Sequence, residues 1–476
     1  MFLLDKMIFK TDPKFLIDYH FFLNQIIIIY SHQEDEVGDF YLHFSGKIFD
    51  LHSIHRSRVH LKMEKIIIVG GGVNGLCAAY YLQKNNFEVT VIDSGDISNN
   101  CSFGNMGFLS PSHFVPLASP GIISEGLKYM LSSTSPFYIK PRLNLSFLQW
   151  ALKFYLNSNQ KTVEKNAPHL SQLLNLSRRL MNEIRDDIGD VFDMEEIGCM
   201  MMCHSQKAFE DELKLMDGAK KFKLQVEILN REELQKLEPD VELDIYGALL
   251  FKDDAHIHPG KFMVAMKNYL ERNEVNFQLN TTVTGFKKNH KKIEEVITDK
   301  GNFTADKIVL TGGSWLSKLA KMAGIHLLLE GGKGYSYTYE NVEKNIHYPA
   351  ILVDGRCAVT PWNHRLRIGG TMEFSGINGH VLIKRMEGIY KSVKLFYPGL
   401  KIDFPPKEKI WTGLRPVSPD GLPYIGKAGN FENLLISGGN AMLGISEGAA
   451  AGQIISDIIE KRSTPIDISA FRVGRF

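Results

Sequence analysis

Apolar and polar positions along the chain follow two periods, and the breaks between them are glycines. From Lys65 a β-branched run, Ile66-Ile67-Ile68-Val69, stops at Gly70-Gly71-Gly72, and a helix-forming run, Leu76-Cys77-Ala78-Ala79-Tyr80, follows. An unbroken apolar run bounded by turn residues predicts a strand buried on both faces. Glu88-Val89-Thr90-Val91-Ile92-Asp93 predicts the next strand. The same order of strand, paired glycines and helix returns at Ile308-Val309-Leu310 before Gly312-Gly313, and at Leu434-Leu435-Ile436 before Gly438-Gly439. The last of these opens a final helix from Met442, with Ile454, Ile455, Ile458 and Ile459 as its apolar side.

Between these junctions the pattern is mixed. Helical spacing predicts amphipathic helices over Phe147–Tyr155, Leu170–Ile188, Phe209–Phe222 and Lys261–Arg272, and a short helix from Arg231 to Glu238. Glu196–His204, Gly247–Phe251 and Leu366–Thr371 read as strands. From Glu274 to Ala305 short apolar runs alternate with polar turns, as hairpins require. From Ile325 to Tyr397 the chain reads as strands and loops. Recurrence of the strand–glycine–helix unit divides the chain into 63–115, 225–325 and 406–476 as a dinucleotide-binding domain, 116–224 and 326–405 as a substrate or cap domain, and 1–62 as an extension outside the fold.

Length agrees with two domains: 476 residues exceed one simple core. A net charge of +1 gives no reason to expect a nucleic-acid partner. Five cysteines without a C-x-x-C pair argue against disulfides or zinc, no metal site is expected, and a reducing cytoplasmic setting fits. Cys199 to Cys203 reads as a buried strand, and His256 and His258 as structural or capping residues. The first 62 residues differ in character, with an aromatic and isoleucine-rich stretch from Phe15 to Tyr30 that is short for a bilayer span. Met63-Glu64-Lys65 supplies the kind of start such a strand usually has. A native chain beginning at Met63 is the expectation, with a membrane anchor or an ordinary extension as alternatives.

Gly70, Gly72 and Gly75 fit G-x-G-x-x-G. The first glycine permits the tight turn, the second lets a pyrophosphate approach the backbone, and the third lets helix and strand pack closely. The phosphates then meet the N–H groups and positive dipole end of the helix. Asp93 closes the second strand where an acid for a ribose hydroxyl is expected. Ser98 to Gly107 is polar and glycine-bearing, suited to backbone contact with a ligand, with a surface loop as the alternative. The glycine motif alone leaves NAD and FAD open; the later glycine junctions favour FAD, because a long cofactor needs contacts from distant segments.

Four pieces together resemble the FAD-dependent amino-acid oxidoreductases of the D-amino-acid oxidase superfamily, in particular the small-subunit type of bacterial D-amino-acid dehydrogenase. They are Val69–Gly75, Ser102–Gly107, Lys333–Ser336, and Gly413–Pro416 with its tail Pro419–Gly426. The resemblance implies an α/β protein: a Rossmann-like FAD-binding domain with an interleaved α+β substrate domain built on a mixed or antiparallel sheet. It implies FAD held by Val69, Gly70, Gly72, Val73, Asn74, Gly75, Asp93, Ser102, Asn105, Gly107, Val283, Gly312 and Gly313, and by Gly439, Asn440, Met442, Gly444 and Ile445. The sequence departs from such proteins in having Asp93 where Glu is usual, Asn440 where His is usual, and His258 before Pro259 where Asp is frequent.

The implied chemistry is oxidation of a D-amino acid, or a related amine such as hydroxyproline, glycine or sarcosine, by hydride transfer to flavin N5. The product is an imine that hydrolyses to the oxo acid and ammonia. An α-amino acid needs its carboxylate fixed, and a guanidinium fork binds both oxygens. Arg415, in an otherwise uncharged stretch, is the expected clamp, with a buried structural salt bridge as the alternative. Tyr335 is the second expected catalytic residue, and Lys333 reads as a turn lysine without a role. Electrons pass to a quinone-type acceptor, or to oxygen if the protein is an oxidase; a catalytically silent flavin-binding subunit is the further alternative. A quinone acceptor leaves open peripheral attachment at the inner face of the cytoplasmic membrane.

Overall fold

The computed structural model describes residues 26–30, 41–44, 47–50, 63–129, 132–142 and 144–476. The chain forms two units, Met1–Met63 and Glu64–Phe476. In the first, Ile26–Tyr30, Tyr41–Phe44 and Lys47–Asp50 pair into a three-stranded antiparallel sheet. The apolar stretch from Phe15 to Gln25 lies outside the described residues.

The second unit is built on two large sheets. The first runs, in order, Asn276–Gln278, Glu88–Ile92, Lys65–Val69, Lys307–Leu310, Leu434–Gly438 and Tyr424–Lys427. The first five strands are mutually parallel and the last is antiparallel. Lys65–Val69 reads as an unbroken apolar run because both faces are covered. Ile66 and Ile68 pack under helices Val73–Lys84 and Gly444–Ile459, while Ile67 and Val69 pack under Val283, Ile293 and helix Leu316–Ala323. The two helices on the first face cross closely because Gly452 stands where a Cβ would come 2.5 Å from the Cys77 carbonyl carbon.

The second sheet has the path Trp411–Val417, Glu330–Tyr339, Arg365–Phe374, Cys357–Trp362, Ala350–Leu352, Cys199–Cys203, Gly247–Phe251 and Val226–Asn230, with Phe137–Ile139 pairing beside Arg365–Phe374. Strand pairing thus divides the chain differently from the expected segments. Val226–Asn230, Gly247–Phe251 and Trp411–Val417 join this sheet and not the parallel one. The hairpins expected from Glu274 onward also sort into two kinds. Asn276–Gln278 is a parallel edge strand of the first sheet, while Val283–Asn289, Lys292–Thr298 and Gly301–Phe303 form an antiparallel meander.

Helix Gln160–Ile188 begins ten residues earlier than expected and runs through Pro168. The Asn159 side chain caps its start on the Thr162 N–H, and burial of Asn166, Ala167 and Leu170 carries the helix across the proline. Helix Ile122–Tyr129 has no counterpart among the expected elements, and helix Ile383–Phe396 lies in a stretch read as strands and loops. The second buries Met386, Ile389, Val393 and Phe396, a spacing that helical periodicity does contain. His258 caps helix Pro259–Arg272, its Nδ1 accepting from the Lys261 N–H at 3.2 Å.

Candidate active site

Strands Lys65–Val69, Lys307–Leu310 and Leu434–Gly438 are neighbours in the parallel sheet, so their three glycine junctions meet at one edge. Gly70 takes φ +116°, and a Cβ there would lie 2.7 Å from the Thr311 carbonyl oxygen. A Cβ on Gly75 would come 1.9 Å from the Gly70 oxygen, which is how closely the helix sits on the loop. At Gly72 the nearest atom to a Cβ is Ser102 Oγ at 3.7 Å, so the protein leaves that side open. Helix Val73–Lys84 starts at Gly72, which has no side chain to cap it; the Val73 N–H donates to Ser102 Oγ at 3.1 Å, and there is no acid in the first turn. Helix Gly444–Ile459 starts without a side-chain cap.

Both helix starts border one cavity of ≈ 980 Å³, near the upper end of ordinary ligand sites at ~300–1,000 Å³. Its lining brings together Val69, Gly70, Gly72, Val73, Asn74, Asp93, Ser102, Asn105, Val283, Gly312, Gly313, Asn440, Met442, Gly444 and Ile445 from three distant stretches of chain. Gly75, Gly107 and Gly439 are not on its wall. Gly75 packs beneath the loop, Gly107 (φ +84°) abuts the Ile257 carbonyl, and Gly439 (φ +85°) turns the chain against Tyr424. Asp93 Oδ2 accepts from the Gly71 N–H at 2.6 Å, and its Oδ1 accepts from Gly95 at 2.8 Å, so the acid holds the glycine loop in place. A helix end with no side chain at its N-cap, a glycine with open space above it and an acid at the second strand suit a dinucleotide.

Asn440, the expected departure, links the two helices. It donates to Glu447 Oε2 at 2.6 Å and accepts from Asn74 Nδ2 at 2.8 Å. Glu447 is 1% exposed, and burial pushes its carboxyl up to about 8 against the lowering effect of that hydrogen bond. The folded carboxyl therefore keeps its proton to a higher pH than the unfolded one, near 4.3. Stability from this group is fully present below about pH 4.3 and is lost progressively as pH rises from there to about 8. Glu447→Gln is expected to be more stable than the parent by about 3 kcal/mol at pH 7 and equal to it near pH 4, read from urea denaturation. A pH-independent difference would mean that the carboxyl is ionised in the fold.

The second sheet supplies the opposite wall. Pro416 and Asn440 lie where the sheets join: Val417 bridges to Asn440, and the Ala441 N–H donates to Pro416 O. The Arg415 guanidinium lines the cavity and donates to the carbonyls of Thr371 and Gly370. Among the described residues it has no carboxylate partner, so the buried salt bridge is not formed. Desolvation lowers it to about 10, which leaves it charged at neutral pH. Gly334 makes room for it: a Cβ there would lie 2.4 Å from the guanidinium carbon. Thr371, on the same wall, has φ +68°, an outlier for a β-branched residue, and its buried Oγ1 has no partner among the described residues. Such strain clusters at ligand sites.

Two expectations on strand Glu330–Tyr339 are corrected by its pleat. Tyr335 lies along the cavity wall, but its side chain packs on the opposite face with Met386 and Ile389, and its hydroxyl donates to Glu373. Side chains alternate faces along a strand, so with Gly334 and Ser336 toward the cavity Tyr335 must point away. Lys333 is not a turn residue. It is 1% exposed, paired with Glu373 at 3.0 Å, and its Nζ donates to Asn378 and His380.

The sequence reading missed a polar chain in the same cavity. Asp254 is fully buried, and both its oxygens accept from Ser112, Oδ1 from the N–H at 3.0 Å and Oδ2 from the hydroxyl at 2.6 Å. Ser112 Oγ lies 3.0 Å from His113 Nδ1. With Asp254 ionised, the serine proton is committed to the carboxylate and Nδ1–H donates to the serine oxygen, leaving Nε2 of His113, a cavity-lining residue, as an acceptor without a partner among the described residues. Burial lowers the imidazole to about 4 and raises Asp254 to about 7. No spacing connects residue 112 with 254; only the pairing of Phe108–Leu109 with Ala255–His256 brings them together.

The sequence profile of the FAD-dependent oxidoreductase family, DAO, matches residues 65–458. A D-amino acid dehydrogenase of Helicobacter pylori is 31% identical over 83% of this chain and 94% of its own. A D-amino acid dehydrogenase of Bradyrhizobium diazoefficiens is 29% identical over 87% of this chain and 99% of its own. Glycine oxidase from Geobacillus kaustophilus superposes with a TM-score of 0.68 at 19% identity, covering 87% of this chain and 100% of its own, which shows a shared fold. With two helix ends and an open glycine loop facing one cavity, the chain belongs to the DAO family of FAD-dependent oxidoreductases.

Proposed function

We propose that the protein oxidises the amine carbon of a D-amino acid, or of a related amine such as hydroxyproline, glycine or sarcosine, and passes the electrons to a quinone-type acceptor. The observation that carries this reading is the Arg415 guanidinium, charged, without a carboxylate partner among the described residues and on the wall of the cavity that the glycine junctions share. The names of its relatives point to D-amino acids. When bound, the flavin accepts the hydride. The chain's own residues hold the α-carbon in place and keep water out. Arg415 grips the carboxylate as a fork, its orientation fixed by the carbonyls of Gly370 and Thr371. The neutral His113 Nε2 offers the amine a hydrogen-bond acceptor whose direction is set by Ser112 and Asp254. The apolar part of the wall, including Met201, Phe251 and Ile351, receives the side chain and excludes solvent.

Anaerobic titration of the purified yellow protein with D- and L-amino acids, proline isomers, glycine and sarcosine tests the proposal. Bleaching of the flavin by a D-amino acid or one of the related amines, with slow reoxidation in air and fast reoxidation by a quinone, is the expected result. A spectrum that no amine bleaches would make the protein a silent flavin-binding subunit. Rapid reoxidation by oxygen would make it an oxidase.

A further inference from the structure

Helix Leu145–Asn157 is apolar on two opposite faces. Its inner face buries Phe147, Trp150 and Phe154, which stack in sequence, and Trp150 Nε1 donates to Val417 O at 2.8 Å. That face explains why the helix is held on the fold. Its outer face carries Leu145, Leu148, Leu152, Tyr155 and Leu156, between 49% and 71% exposed. These positions follow the i, i+3, i+7, i+10, i+11 spacing of a single helical stripe. Scattered exposed leucines need no explanation, but five large apolar side chains on one stripe do.

The charge around the stripe says what covers it. From Gly126 to Val163 the sequence contains no acidic residue and five basic ones, in a chain whose net charge is only +1. Arg142 is taken up by Glu330 at 2.7 Å. Lys128, Lys140, Lys153 and Lys161 are exposed and form no ion pair among the described residues. We infer that this helix and its flanking lysines form a docking surface for an anionic lipid bilayer. An apolar stripe entering the acyl boundary beside cations that meet lipid headgroups is the pattern of a helix lying in the interface plane. A second copy of the chain fits poorly, because a two-fold contact would set these lysines against their own copies. A protein partner is a weaker match, since interface cores are depleted in lysine and the segment from Gly126 to Val163 supplies no acid of its own to define a register. The attachment is peripheral: no described helix is long and apolar enough to cross a membrane.

The placement has a consequence for the cavity. Gly126, Tyr129, Pro136 and Phe137 of the same basic segment, and Phe154 of the helix itself, line it. A bilayer against the outer face would therefore lie one helix away from the cavity wall.

Flotation of the full-length FAD-loaded protein with vesicles tests the inference. The protein should float with phosphatidylcholine vesicles containing phosphatidylglycerol and not with pure phosphatidylcholine. Binding should fall in 1 M salt, where charges are screened beyond about 3 Å. Leu148→Glu with Leu152→Glu should lower the bound fraction at least tenfold. Lys140→Ala and Lys153→Ala should each lower it about fivefold. All four residues lie off the cavity wall, so FAD content and melting temperature should stay at parental values, and the milder pair Leu148→Ser with Leu152→Ser serves if the glutamates perturb folding. Equal binding to both vesicle types, no binding to either, or parental binding by the leucine variants would overturn the inference. So would a parental dimer that the leucine variants dissociate. The assay reads partition and not turnover, so its failure leaves the proposed oxidation untouched.

Discussion

Arg415→Leu is expected to raise the KM for the amine substrate by two orders of magnitude or more while FAD stays bound. The clamp proposed for Arg415 makes two charge-assisted hydrogen bonds to a carboxylate, and each is worth about 1.5–3 kcal/mol. Loss of the pair amounts to about 3 kcal/mol or more, and 1.36 kcal/mol is a factor of ten. The cavity amplifies this, because the substrate carboxylate would enter a desolvated site with no counter-charge. Lys333 is no substitute, being committed to Glu373 on the other face of its strand. Arg415→Lys keeps the charge but loses the fork, so partial rescue is expected. If Arg415 serves only to tie its strand to Thr371 and Gly370, both variants would lower FAD content and melting temperature with KM unchanged. Steady-state kinetics and the flavin spectrum on the same samples separate the two outcomes.

How far the sequence carried this picture depends on the range over which each feature is written. The strand–glycine–helix unit is local, and three copies of it were enough to place one ligand at one sheet edge. What makes them one site is that the strands beginning at Lys65, Lys307 and Leu434 are neighbours in the sheet, a fact of pairing between residues hundreds of positions apart. Features without a local signature were missed. The orientation of Tyr335 depends on the register between Glu330–Tyr339 and its two neighbours, including a bulge near Lys333. A slip of one residue exchanges the faces of every side chain, so no inspection of Lys333-Gly334-Tyr335 could decide which one meets the cavity. The burial of Lys333 has the same origin, since its partner Glu373 is on the adjacent strand. Ser112 and Asp254 meet through a two-residue ladder too short for periodicity to register. Helix Ile383–Phe396 was different: its apolar spacing was present, but the basic residues Lys384, Arg385, Lys391 and Lys394 interrupt it.

Gly75→Ala and Gly72→Ala are expected to fail in different ways, and the contrast tests how the opening loop works. At Gly75 a Cβ would sit 1.9 Å from the Gly70 oxygen and 2.9 Å from Thr311 Oγ1. That oxygen already accepts from Thr311 Oγ1 at 2.7 Å, and Thr311 Oγ1 also reaches Val69 O at 3.1 Å. The clash is therefore with backbone locked between two parallel strands, and nothing flexible can yield. Such an overlap falls in the class of single substitutions costing about 4 kcal/mol or more, a large share of a typical ~5–15 kcal/mol fold stability. Gly75→Ala should lower the stability of the FAD-free protein, measured by urea denaturation, and abolish the yellow colour. At Gly72 the backbone is ordinary, with φ −74° and ψ −178°, and a Cβ would meet only Ser102 Oγ at 3.7 Å. The FAD-free protein should tolerate that methyl group with a change within about 0.5 kcal/mol. The cost should fall on the cofactor, because the open side of Gly72 faces the cavity beside the helix start, where a pyrophosphate needs the backbone. Gly72→Ala should thus weaken FAD binding at unchanged apoprotein stability. Equal destabilisation of both apoproteins would mean that the two glycines serve folding alike and that the space over Gly72 is not reserved for a ligand.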